Sequence, residues 1–305
     1  MSADQGSGIR AQGSGIRDQG SGIRDQGSGT RAWWRQPLLA VACLLVASGA
    51  AAQTPRLSNG RLETHTVSAG LAKDLPALAA KLTEPTWIGY AVPVIDGEHH
   101  MCDYWNDGAR TMGSSAPVLL EPADVFFVLY RVEGGQITRI RSYSADCALD
   151  AGGKAVHWFT NVTVIDSLAY LKTFVAAPTA STRMVDSAVT ALAMHDGQPA
   201  LDTLVGLARD HESTKVRSSA LFWLAQRAGQ KAVGTITAAI EGDPDTEVKK
   251  KAVFALSQLP KDEGVPLLIQ QARTNKNPAV RKQAMFWLGQ SKDPRALQFF
   301  EEILR

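Results

Sequence analysis

The last 120 or so residues repeat at an interval of 32, and a helical unit that short cannot bury its own apolar face. VRSSALFWLAQ from Val216, VKKKAVFALSQ from Val248 and VRKQAMFWLGQ from Val280 align so that Ala220, Ala252 and Ala284 share a register, as do Leu224, Leu256 and Leu288. A degenerate fourth copy starts at Met184. In the copy from Val248, apolar Val248, Ala252, Ala255 and Leu256 fall at offsets 0, 4, 7 and 8, one face of a 3.6-residue period. Second apolar runs at 201–208, 232–240, 265–272 and 296–304 begin about 16 residues after each first helix, so each unit is expected to be a helical hairpin. Asp243-Pro244 and Asn277-Pro278 supply a capping side chain followed by a residue with no N–H to leave unpaired at a helix start. Such hairpins must stack on one another, and the stack, an α-solenoid, typically holds another molecule.

Asp243-Pro244 and Val248-Lys249 leading to Ala252 and Leu256, the equivalent run from Asn277-Pro278 through Val280-Arg281 to Ala284 and Leu288, and Asp293-Pro294-Arg295-Ala296-Leu297 together resemble the HEAT-repeat family. The nearest variety is the short bacterial one, similar to the HEAT-like repeats of phycobilisome lyases. The resemblance covers residues 183–305 and implies about four repeats. Its packing positions are Val216, Ala220, Leu224, Val248, Ala252, Leu256, Val280, Ala284 and Leu288. The first copy, Met184-Val185-Asp186, lacks the Val-Arg or Val-Lys pair, as a capping unit beside another domain would.

Residues 4–31 are four tandem heptapeptides of the form DQGSGIR, too rich in Gly and Ser to pack, and are expected to be disordered. Their near-identity fits either a functional arm or a translation start further downstream. Residues 32–52 read as a signal peptide: a basic flank around Trp33-Trp34-Arg35, an apolar run at 38–46, and small residues up to a cleavage point after Ala52. The run is shorter than the roughly 20 residues a membrane-spanning helix needs, and no Cys follows the cleavage point to carry a lipid. Export to a periplasm or the medium is therefore expected, with no stable membrane span after cleavage.

Cleavage would remove five Arg and three Asp from totals of 32 basic and 30 acidic residues, leaving 27 of each. A neutral chain with interspersed signs lacks the basic surface nucleic-acid binding requires. The run Lys249-Lys250-Lys251 reads as a solvated helix face, because the other copies carry Arg217-Ser218-Ser219 and Arg281-Lys282-Gln283 there.

Residues 53–177 follow a different rhythm, and the fold class expected is α+β, a β-rich domain with flanking helices followed by the solenoid of helical hairpins. Strands at 125–132 and 137–143 around Glu133-Gly134-Gly135 form a hairpin, with further strands at 87–95, 117–120 and 155–160 and helices at 71–82 and 165–175. An antiparallel sheet with helices on one side is the natural arrangement. Pro178-Thr179-Ala180-Ser181 marks the junction.

Cys102 and Cys147 remain after signal cleavage, and in an exported chain an isolated pair most often forms a disulfide. The competing reading is a metal site drawing on His99, His100, Cys102 and His157, which supply the N and S ligands zinc prefers. The two readings exclude each other for the same sulfurs. Nucleophile elbows, zinc-protease helices and phosphate loops are missing from the sequence, and no cofactor is expected. His195 and His211 fall at helix ends, where capping or solvation is expected. Phe222, Phe254 and Phe286 recur at offset 6, either as an exposed stripe for a peptide or, more simply, filling the junctions between units; Trp223 and Trp287 at offset 7 are expected in the core. Two functions follow. The preferred one is an exported, non-catalytic scaffold whose repeats bind a protein partner. The alternative is a metal- or thiol-dependent enzyme or cofactor handler with its site in the amino-terminal domain.

Overall fold

The computed structural model describes residues 54–97, 101–102 and 124–305. Gly49–Arg305 forms one compact unit. Its elements run β1 (Arg56–Ser58), β2 (Arg61–Thr66), α1 (Leu71–Ala79), β3 (Thr86–Pro93), β4 (Val125–Glu133), β5 (Gln136–Ser144), β6 (Ala148–Asp150), β7 (Ala155–Thr160) and α2 (Val164–Ala176). Eight further helices follow as four pairs: α3 (Thr182–Met194) with α4 (Gln198–Asp210), α5 (Thr214–Ala228) with α6 (Val233–Gly242), α7 (Thr246–Ser257) with α8 (Lys261–Thr274), and α9 (Pro278–Gln290) with α10 (Pro294–Leu304). The architecture is α+β, a sheet region followed by a helical solenoid.

Glycines at 134 and 135, both at positive φ (55° and 76°), form the two-residue turn that joins β4 to β5. The sheet order is β2-β7-β3-β4-β5, with β7 parallel to both of its neighbours and the other pairs antiparallel. The sheet is therefore mixed, not antiparallel as its hairpin suggested. The cause is α1: a helical crossover from β2 to β3 makes those strands run the same way, and β7 slots between them. β1, β2 and β6 are too short or too polar to stand out in the sequence, and the strand expected at 117–120 lies outside the described residues.

The central strands are buried on both faces, which is why 125–130 reads as an unbroken apolar run. Ile88, Tyr90, Phe126, Val128, Tyr130 and Phe159 face the helices, meeting Leu71 and Leu75 of α1, Leu168 and Leu171 of α2, and Ala188 and Leu192 of α3. On the opposite face Trp158, Phe127 and Leu129 form a smaller cluster. Gly89 is required there, since a Cβ at that position would lie 2.9 Å from the Trp158 ring.

In the solenoid the packing positions Val216, Ala220, Leu224, Val248, Ala252, Leu256, Val280, Ala284 and Leu288 are all at most 3% exposed. The basic residue that follows each Val has a structural task. Arg217 donates to the carbonyls of His211 and Glu212, Lys249 to that of Glu241, and Arg281 to those of Asn275 and Lys276. Each basic side chain thereby satisfies carbonyls at the end of the preceding helix pair. Residues 211, 243 and 275 complete the loops: His211 Nδ1, Asp243 Oδ1 and Asn275 Oδ1 each accept from the backbone N–H two residues on, at 3.0, 2.8 and 2.9 Å. Asn277 caps α9 with Pro278 at its first position, whereas α7 starts later than Asp243-Pro244 implied and takes Asp245 as its cap.

Ala252 is fully buried between repeats, so Ala252→Asp places an unpaired carboxylate in the shared core at a cost of several kcal/mol. Circular-dichroism melting of that variant should show loss of several repeats together, while Lys251→Asp, one residue away on the exposed side, should melt like the parent.

Candidate functional site

The first helices of the repeats, α5, α7 and α9, present an aromatic ladder. The Phe222 and Phe254 rings are parallel within 4° with centroids 6.0 Å apart, Phe254 lies 4.8 Å from Trp287, and Phe286 lies 4.9 Å from Trp287. These rings bridge successive units and also keep surface: Phe222, Phe254 and Trp287 are half-buried, and Phe286 is 53% exposed. Both readings of offset 6 therefore describe the same side chains, and the tryptophans, expected in the core, reach its edge. A second recurrence runs beside them. Gln226, Gln258 and Gln290 occupy offset 10, and the Gln226 amide donates to Gln258 Oε1 at 3.4 Å.

The joint between sheet and solenoid holds a chain of buried polar groups. His195, directly after α3, is fully buried; its Nδ1 lies 2.7 Å from the Ala191 carbonyl and its Nε2 2.7 Å from Ser167 Oγ. A carbonyl only accepts, so Nδ1 carries the proton and Nε2 accepts from Ser167. The Ser167 oxygen then accepts from the Tyr90 hydroxyl at 2.7 Å, and Tyr90 accepts from Tyr130 at 2.9 Å. Burial pushes the His195 imidazole down to about 4 and raises the Tyr90 and Tyr130 hydroxyls above their ordinary range. The ring also stands edge-on to Phe126 at 5.1 Å. His195 is neither solvated nor a simple cap but the pin of the joint. Ser167 and His195 have the spacing of a nucleophile and base, yet both are wholly buried and their hydrogen bonds are already spent on the fold.

Cys102 and Cys147 form a disulfide with Cα atoms 5.3 Å apart, so their sulfurs offer no thiolate to a metal. His99 and His100 lie outside the described residues. His157 sits on β7, where its Nδ1 is 3.0 Å from His65 Nε2 on β2 and 3.4 Å from Glu63 Oε2. Neither Glu63 nor His65 was singled out from sequence. Their alternation on β2 places them on one face, but the pairing with His157 is a long-range register that no local pattern announces.

The family model for HEAT repeats matches residues 201–276 and 233–305. No curated protein matches the chain in sequence. Among solved structures, the human deoxyhypusine hydroxylase complex with glycerol is 18% identical over 41% of this chain and 43% of that one, with a TM-score of 0.34. The complex of CpcE and CpcF of phycocyanin lyase from a Nostoc species is 18% identical over 45% of this chain and 89% of that one, at 0.35. YibA of Escherichia coli is 22% identical over 46% and 54%, at 0.33. The match thus spans less than half of the human enzyme's length.

The joint has a pH signature. Above about pH 6.5, the ordinary histidine value, His195 is neutral whether the chain is folded or not. As pH falls from there to about 4 the unfolded chain binds a proton that the folded chain refuses, and stability is lost across that window, by about 3 kcal/mol. Urea unfolding of the parent at pH 7 and pH 4.5 should show this loss, and His195→Gln, though less stable at pH 7, should lack the His195 share of it.

Proposed function

We propose that this chain is an exported, non-catalytic scaffold that holds an extended segment of a protein partner along its row of first helices. The observation that carries the reading is the pattern of recurrence on the surface. At offsets 2 and 3 the copies have drifted to Ser218-Ser219, Lys250-Lys251 and Lys282-Gln283, yet the surface-reaching Phe at offset 6 and Gln at offset 10 are the same in all three. Packing accounts for the buried positions, and the hydrogen bond from Gln226 to Gln258 joins one pair of units, but neither calls for the exposed Phe286 and Gln290 of the last unit. A ladder of aromatic rings beside a ladder of primary amides suits a polypeptide: the rings take apolar side chains, and each amide both donates to and accepts from a main-chain peptide group. Export is supported by the basic, apolar and small-residue order of residues 32–52 and by the disulfide, which persists in oxidising compartments.

Two measurements test this. Amino-terminal sequencing of the chain recovered from the periplasm or medium should begin after Ala52, and recovery only from the cytoplasm would remove the export part. The double variant Phe286→Ser with Gln290→Lys changes exposed side chains and should leave the melting curve within about 0.5 kcal/mol of the parent while abolishing co-purification of the partner. Undiminished co-purification would place the partner elsewhere.

A further inference from the structure

We propose that Glu63, His65 and His157 form a binding site for a divalent transition metal of the zinc type, open to solvent along the β2 edge of the sheet. The argument starts from strand geometry. Residues 63 and 65 alternate onto one face of β2, β7 runs parallel beside it, and Glu63 stands opposite His157 in the register. One ligand atom from each of the three side chains lies within 4.8 Å of the other two. Two imidazoles and a carboxylate are the donor set of three-ligand zinc sites.

The spacing also fits. A tetrahedral ion with ligands at about 2.0–2.1 Å holds them roughly 3.3 Å apart. His65 Nε2 and His157 Nδ1 are 3.0 Å apart, and His157 Nδ1 and Glu63 Oε2 are 3.4 Å apart. An ion entering between the rings therefore has to open the first pair by only a few tenths of an ångström, in place of the proton the two nitrogens now share.

The surroundings hold these ligands in position. Arg61 donates to Glu63 Oε1 at 2.8 Å, which leaves Oε2 facing His157. Phe159 packs against the His65 ring with centroids 5.6 Å apart. His157 is 7% exposed, so the strands around it hold its ring in place beside Glu63 and His65. Glu63 and His65 are half-exposed on a strand with no further neighbour in the described sheet, which provides an entry path. Three protein ligands leave the fourth tetrahedral position to water. This donor set is distinct from the cysteine-containing one read from sequence, and of those residues it keeps only His157.

The test is titration of the full chain, purified on a tag without histidines and stripped with chelator, using zinc by calorimetry and cobalt by visible absorption. One ion per chain and the d–d bands of tetrahedral cobalt are expected. Glu63→Gln, nearly isosteric, and His65→Ala should each weaken zinc at least tenfold, and Arg61→Ala, which frees the carboxylate, about tenfold. Zinc should also raise the melting midpoint of the parent but not of Glu63→Gln, a readout that survives even where His65→Ala fails to fold. A folded parent that takes up no stoichiometric zinc overturns the proposal, and so does uptake unchanged by Glu63→Gln in a chain whose melting curve matches the parent's.

Discussion

A stack of helical hairpins ends in an apolar face that water would otherwise meet, and covering that face at the amino-terminal end is the constraint on which the rest of this structure depends. Helix α3 carries it. Ala188 and Leu192 pack into the core of the sheet, while Ala193 belongs to the core of the repeats, so one helix contributes to two hydrophobic clusters. Each large apolar side chain buried there contributes on the order of 1.5–3 kcal/mol, which neither the sheet nor the first hairpin could collect without the other. Main-chain hydrogen bonds fix the relation: Ile95 donates to the Met194 carbonyl and Asp196 to that of Pro93, both at 3.0 Å. The sheet is thus the cap of the solenoid rather than a neighbour on a flexible tether.

Apolar packing alone would leave α3 free to slide, and the polar chain from Tyr130 to the Ala191 carbonyl removes that freedom. Tyr90 and Ser167 each both donate and accept, Tyr130 donates at the head of the chain, and the carbonyl at its end sets the direction of all the others. Breaking one member strands buried partners at about 1–3 kcal/mol each, so a displaced joint is penalised at several atoms together. The repeats use the same device with charge. Arg217 grips Asp243 of the next loop through two hydrogen bonds of 2.7 and 3.0 Å, both side chains nearly buried, and so couples adjacent hairpins by direction as well as by area.

What could be read from the sequence follows from how far apart the interacting residues lie. The helical hairpins were legible because three copies repeat the same local contacts, and even the Arg or Lys after each Val, first a mere family resemblance, proves to satisfy the carbonyls of the preceding loop. The β4–β5 hairpin was legible for the same reason, its turn being local. The parallel pairing of β2 with β7 was not: RLETHT has too little apolar alternation to stand out, and its partner strand lies some 90 residues away. Of the two roles expected for His195, capping holds, through the Ala191 carbonyl, and solvation does not, because a histidine after a helix looks the same in sequence whether its other nitrogen meets solvent or Ser167, 28 residues earlier. The Glu63-Thr64-His65 alternation was the one available signal for that cluster, and without the β7 register it pointed nowhere.

The disulfide belongs to the same problem as α3. The described residues that follow β3, 94–97 and 101–102, supply main-chain hydrogen bonding that docks the first hairpin. They are tied at Ile95 to Met194, and again where the Met101 N–H donates to Ser144 Oγ at 2.9 Å. Cys102–Cys147 adds the covalent tie to the loop after β5, across a sequence separation of 45. Closing a loop of that length removes about 4 kcal/mol of chain entropy from the unfolded state, comparable to burying two large apolar side chains. Val94, Ile95 and Met101 pack against the core that sheet and first hairpin share, so this stretch is held both by burial and by a bond whose strength does not depend on packing, and the joint between sheet and solenoid inherits both.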